Sequence, residues 1–316
     1  MRYLLLYIFI LLISPVFSQS AKEKGLETIN LESAKAYVGF LASDALEGRE
    51  AGERGAIIAA EYIKSQLTDM KIKPLYGDNY FQPFEGLVRK RGETERQKAN
   101  MHNILGFIEG RNSDEYVIIG AHYDHLGIDE NLEGDKIYNG ADDNASGVSA
   151  VLQIAKAFMI SGQQPERTII FAFWDGEESG LLGSDYFVNA FFSHSKIKAY
   201  LNFDMIGRNN DESKPNHVVY FYTASNPLFG DWLKEDIKRY NLILEPDYRA
   251  WDNPVGGSDN SSFAKKGIPI IWYHTDGHAD YHQPGDHAEK INWDKLINIT
   301  KAAYLNLWNL ANVETY

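Results

Sequence analysis

Residues 168–180 read TIIFAFWDGEESG, an apolar run that breaks abruptly into acids and glycine. A short continuous stretch of β-branched and aromatic residues fits a strand buried on both faces, as the inner strands of parallel sheets are. Two adjacent carboxylates, Glu177 and Glu178, follow it at the end where open α/β sheets place their ligand crevices. They either divide labour, one ligating a metal and one accepting a proton, or form a solvated helix start favoured by the helix dipole. Asp175 suits that dipole equally well, or hydrogen-bonds the loop.

Outward from this strand, helical and strand-like patterns alternate. Helical periodicity covers 31–41, 54–67, 146–158, 181–190, 227–240 and 293–311, and short apolar strand patterns cover 103–108, 116–121, 199–203, 218–222 and 269–273. The segments 103–108 (NILGFI) and 116–121 (YVIIGA), separated by a polar turn, are expected to pair. Alternation of this kind predicts an α/β fold, a mainly parallel mixed sheet sandwiched between helices. With no internal repeat and no low-complexity linker, residues 19–316 are expected to form a single domain. Arg89, Lys90, Arg91 and Arg96 cluster in a segment that reads as a solvated loop.

Four further segments set an acid or a histidine at or shortly after an apolar run. In AHYDHLG (121–127), His122 lies one residue past a strand, and Asp124 is suited to hold its second ring nitrogen, as metal-bound imidazoles require. In GADDNASG (140–147), Asp143 or Asn144 caps the following helix, or the loop presents a carboxylate, Asp143, able to bridge two cations. NFDMIG (202–207) sets Asp204 between Phe203 and Met205, a costly place for a carboxylate unless it is metal-bound or paired, with Arg208 as the competing partner. DYHQPGD (280–286) supplies His282 beside Tyr281, and spacing alone does not dismiss His274, His278 or His287.

Composition narrows the chemistry. The 316 residues are 44% apolar, enough for a large core, and contain no cysteine, so thiol catalysis, thiolate-bound zinc and lipidation through an N-terminal cysteine are excluded. Any metal must use oxygen and imidazole. A formal charge of −13 disfavours nucleic acid as a partner and favours cations. Residues 1–18 combine Arg2, an apolar run at 3–13 and Ser18, the pattern of a signal peptide; the run is shorter than the roughly 18–20 apolar residues of a membrane span. An exported, periplasmic or secreted protein with no stable membrane anchor is expected.

Taken in order and spacing, these five segments closely resemble the co-catalytic zinc aminopeptidases of peptidase family M28. The likeness runs roughly from 101 to 287, and LASDALEGREAG (41–52) looks like the family's N-terminal segment. The resemblance implies two zinc ions: His122 and Asp204 on one, Glu178 and His282 on the other, Asp143 bridging them, with a cis peptide between Asp143 and Asn144. It implies Glu177 as general base, Asp124 orienting His122, and peptides or proteins with a free N-terminus as substrates. GSDNSSF (257–263) is similar to a family loop near the substrate pocket, making Asp259 a supporting or substrate-contacting candidate. Tyr281 matches a position that stabilises the tetrahedral intermediate in some members. Only some 15 residues (87–101) stand where longer relatives carry a protease-associated domain, so that insertion is expected to be absent. Two rival readings share the fold: a single-zinc glutaminyl cyclase and a catalytically silent binding protein.

Overall fold

The structure, a computed structural model, describes residues 19–91, 93–191, 196–252 and 256–316. The leader reading at 1–18 lies outside the described residues. Among them, nine strands form one sheet: β1 (Lys73–Pro74), β2 (Phe81–Val88), β3 (Gln97–Ile108), β4 (Asn112–His122), β5 (Arg167–Trp174), β6 (Ile197–Phe203), β7 (His217–Tyr222), β8 (Glu245–Ala250) and β9 (Ile270–His274). Their order is β1-β3-β5-β4-β6-β9-β7-β8, with β2 paired to β3 off that path. The central block β5-β4-β6-β9 is parallel, and antiparallel pairings flank it at β3·β5 and β7·β9.

Period-two alternation sends the side chains of β5 to two cores. Ile169, Phe171 and Phe173 join one apolar cluster, and Ile170, Ala172 and Trp174 the other. The first is covered by α1 (Ala21–Leu26), α2 (Leu31–Leu41), α3 (Arg54–Asp69), α4 (Gly147–Ser161), α6 (Leu228–Tyr240) and α8 (Trp293–Asn312). The second is covered by α5 (Leu182–Ala190) and α7 (Asn260–Ala264), through Phe187 and Phe263. This is the expected α/β layering.

The expected pairing of 103–108 with 116–121 does not form. β5 lies between β3 and β4, antiparallel to the first and parallel to the second. Both faces of β5 are fully buried, and only an inner position in the sheet achieves that for so apolar a strand. Sequence reading also missed β2, whose Pro83 and Gly86 interrupt the strand pattern, and β8, a polar edge strand that is mostly half-buried. It missed α1 as well, although Ser20 and Glu23 form a capping box there.

β4 is where the chain reverses direction across the sheet. β5 pairs on one side of it and β6 on the other. Such a switch point opens a crevice beyond the carboxyl ends of the strands, and His122 is the last residue of β4.

Candidate metal centre

Loops beyond β4, β5, β6 and β9 converge at this crevice. Among the described residues, two groups of metal-competent side chains meet there: His122, Asp143 and Asp204, and His125, Asp143 and Glu178. In the first, His122 Nε2 stands 3.3 Å from Asp143 Oδ1 and 3.7 Å from Asp204 Oδ1. In the second, His125 Nδ1 lies 2.7 Å from Glu178 Oε1 and 3.9 Å from Asp143 Oδ2. His282 Nε2 enters the same space, 3.2 Å from Asp143 Oδ2 and 3.1 Å from Glu178 Oε2. Asp143 belongs to both groups through its two different oxygens.

Each open alternative from the sequence has a structural outcome. Asn144 caps: its Oδ1 accepts the Gly147 N–H at 3.0 Å, and the cis Asp143–Asn144 peptide precedes it. Asp143 makes no such cap. Arg208 turns away from Asp204 and donates to Asp280 at 2.8 Å. The 177–178 pair is no helix start, because α5 begins at Leu182. Asp175 holds the loop instead, accepting the His102 N–H at 3.1 Å and the Tyr123 hydroxyl at 2.8 Å. His278 approaches Asp142 and His287 pairs with Asp135, both apart from the two groups. His274 Nδ1 faces the main-chain carbonyl of Asp204 at 2.6 Å.

The model of peptidase family M28 matches residues 103–306, a span that contains the whole cluster. The chain belongs to peptidase family M28. Leupeptin-inactivating enzyme 1 of Streptomyces exfoliatus is 29% identical over 234 residues, 67% of this chain and 49% of that protein. The chain thus spans about half the length of such curated relatives. In fold, it superposes on an aminopeptidase from Aneurinibacillus sp. strain AM-1 with a TM-score of 0.72 at 16% identity, covering 93% of this chain and 97% of that one. It also matches a Fimbriiglobus ruber glutaminyl cyclase, with a TM-score of 0.67 at 15% identity, covering 89% and 95%.

A second layer of contacts holds the M28 cluster in place. Asp286 accepts the main-chain N–H groups of Asp142 and Asp143 at 2.9 and 3.0 Å, which fixes the turn presenting Asp143. The carboxylate of Asp124 accepts the N–H groups of Glu177 and Glu178 at 3.1 and 3.4 Å. Its main-chain carbonyl lies 3.2 Å from His122 Nδ1, nearer than its own carboxylate at 3.6 Å. Asp124 therefore ties the β4 loop to the β5 loop. Beneath Asp259, a buried chain runs from Trp174 Nε1–H to the Tyr200 hydroxyl, then to Asn202, and from the Asn202 amide to Ser258. His282 adopts a left-handed φ of 54°, rare for histidine, and Tyr281 packs its ring on the imidazole at 3.9 Å between centroids.

Arg49 explains why LASDALEGREAG belongs to the site. It is buried, and its guanidinium donates to the main-chain carbonyls of Leu41, Tyr123, Asn139 and Gly140. Those carbonyls belong to α2, the loop carrying His125 and the turn carrying Asp143. Arg49 and His125 are functional candidates that sequence reading passed over. His125 had a signal, since it shares the AHYDHLG segment with His122.

The electrostatics are those of a cation site. Burial would lower the His122 imidazole, yet Glu177, Asp124, Asp143 and Asp204 hold it well above its ordinary range. Burial would raise Asp143, yet His125, His122 and His282 hold it well below. The imidazoles thus supply the positive charge that these carboxylates need. Glu177 is different: burial pushes it well above the carboxylate range, and Asp204, Glu178 and Asp259 push the same way against His122. Burial also raises Asp259 to about 7.

Proposed function

We propose that this chain is an exported zinc-dependent aminopeptidase, with residues 19–316 as one peptidase domain lacking a protease-associated insertion. The observation carrying the reading is the sharing of Asp143 between two donor groups. A tetrahedral ion with bonds of about 2.0–2.1 Å separates its ligands by roughly 3.3 Å. The separations of 3.1–3.7 Å from His122 to Asp143 and Asp204, and from His282 to Asp143 and Glu178, suit two such ions. All donors are oxygen or imidazole nitrogen, and the chain has no cysteine to offer.

His122 and Asp204 would hold one zinc and Glu178 and His282 the other, with Asp143 bridging and His125 as a further donor on the second. When bound, zinc supplies Lewis acidity for the scissile carbonyl and lowers the pKa of the attacking water. Glu177 is the general base. It takes a proton from the attacking water and returns it to the leaving amine. Tyr281, exposed and packed against the imidazole of His282, would donate its hydroxyl to the developing oxyanion. Asp259 is fully buried, and burial raises its pKa to about 7, so it is read as a supporting residue of the cluster and not as a full negative charge offered to the substrate. Peptides or proteins with a free N-terminus are the substrates.

The glutaminyl cyclase reading rests on the shared fold and needs one zinc only; the second donor group argues against it. A panel of aminoacyl-anilides assayed with and without chelator, together with metal content, decides. Chelator-sensitive turnover with two zinc ions per chain is expected. One zinc with release of a cyclised product sinks the peptidase, and absent or chelator-insensitive turnover favours a silent binding protein.

Among the described residues no helix is long and apolar enough to cross a membrane. Export rests on the pattern of residues 1–18.

A further inference from the structure

The turn between β2 and β3 carries the basic cluster, and it is not merely solvated. Val88 pairs with Gln97 at the end of the hairpin, so Arg89, Lys90, Arg91 and Arg96 all lie in the connecting turn. That turn forms one wall of a 640 Å³ cavity. Its lining also includes Glu178 and His282, two of the side chains at the candidate centre. A volume of this size is typical of ligand pockets, and it is open to a peptide lying across the metals.

The four bases are not equivalent. Lys90 pairs with Glu53 at 2.5 Å. Arg91 lays its guanidinium over the Tyr138 ring, 4.5 Å from the centroid, and donates to that hydroxyl at 3.1 Å. Arg89 and Arg96 are exposed and have no ion pair or hydrogen bond with the described residues. The acids lining the cavity have other work: Glu50 accepts the Arg91 N–H, Glu93, in the same turn, accepts the Gln97 side-chain amide, Asp124 accepts the Glu177 and Glu178 N–H groups, and Asp129 accepts the Asn131 N–H. In a chain of formal charge −13, two such arginines lining one cavity run against the surplus of acid. The hairpin is also anchored, through Phe84, Val88 and Met101 packed with Leu182, so the turn is held at a set place.

We propose that Arg89 and Arg96 bind a carboxylate of the peptide beyond the scissile bond, which makes short peptides with an acidic residue or a free C-terminus the preferred substrates. The inference rests on the peptidase reading and names the substrate class for that site. Guanidinium matches carboxylate in a planar, two-point fashion, and a cationic rim offsets the repulsion that the acidic chain otherwise exerts on an anionic peptide.

The test uses the zinc-loaded protein and tripeptides beginning with the best residue of the anilide panel. The second position is Glu or Gln, and each peptide is made as a free acid and as a C-terminal amide. Carboxylate-bearing peptides should be favoured over the neutral Gln amide by about tenfold or more in kcat/KM. Most of that gain should lie in KM and shrink as salt is raised. The Arg89→Gln/Arg96→Gln variant should lose the preference while its turnover of the neutral anilide is unchanged. A preference that survives amidation assigns the side chain as the ligand, and one abolished by amidation assigns the C-terminus. Equal kcat/KM across the four peptides, or a variant weakened alike on neutral and acidic substrates, overturns the proposal. If the wild type leaves every anilide intact, the peptidase reading fails. Calorimetric titration of the same peptides then decides on the rim: tighter binding of the carboxylate-bearing ones, lost in the variant, upholds it, and equal affinities overturn it.

Discussion

The imidazole of His125 meets Glu178 with Nδ1 2.7 Å from Oε1, nearer than His282 comes to the same carboxylate. His125 is buried, and its Nε2 has no hydrogen-bond partner, so Nδ1 is its working atom. As a donor in the second group, or as the group that orients Glu178, it governs that metal position. His125→Asn should weaken the second zinc by about 10- to 100-fold, the usual cost of losing a supporting contact, and leave the first in place. Zinc titration by calorimetry with elemental analysis reads this directly. Two ions held at unaltered affinity would remove His125 from the site.

Glu177→Gln removes the proton acceptor while keeping the shape and the N–H donated to Asp124. A drop in kcat of about 10²- to 10⁴-fold is expected, equivalent to roughly 3–5 kcal/mol of barrier. Metal content should stay normal. Joint loss of metal and activity would mean that the roles of Glu177 and Glu178 have been divided wrongly.

Removing metal should destabilise the fold, because Asp143, Asp204 and Glu178 then face one another with only imidazoles between them. Zinc at 100 times its dissociation constant contributes about 2.7 kcal/mol per site. Thermal melts with chelator and with restored zinc should therefore differ by several degrees. Coincident melts would argue that no ion occupies the cluster.

Arg49 joins α2 to the His125 and Asp143 loops through four carbonyls, of which, among the described residues, only that of Gly140 also accepts a main-chain N–H, from Ala145. Arg49→Met leaves buried acceptors unsatisfied, at about 1–3 kcal/mol each before relaxation. A loss of more than about 3 kcal/mol in urea denaturation is expected, with weakened zinc binding in whatever remains folded. A variant of wild-type stability would show that the loops hold themselves.

Burial raises Asp236, on α6, to about 6 from 3.8, more than Lys22 can offset. A folded pKa above the unfolded one means that the native state holds its proton longer, so stability falls as pH rises from about 4 through 6. Asp236→Asn should flatten that part of the melting-temperature profile and melt higher than wild type at pH 7. Parallel profiles for the two proteins would show that Asp236 is ionised without cost.

Much of this was legible before folding. The run 168–174 could only be an inner strand, and that reading located the 177–178 pair beyond its end. His122 and Asp204 likewise sit at the ends of β4 and β6, because apolar runs broken by one polar residue mark where a buried strand meets its crevice. What failed was adjacency. The 103–108 and 116–121 strands are sequence neighbours, but β5 separates them, since burying both faces of 168–174 outweighs closing a short hairpin.

Sequence alone determined the layered α/β class and the donor chemistry without sulfur, because hydrophobic period and residue type are local properties, and it named His122, Asp143, Glu178, Asp204 and His282 as candidate donors. Tertiary structure decided that Asn144 caps while Asp143 converges, that His125 joins Glu178, that Arg49 ties three segments together, and that the exposed basic turn also lines the cavity at the site. Those relations link residues tens to hundreds of positions apart, and only the packing of loops across a shared sheet end sets such distances.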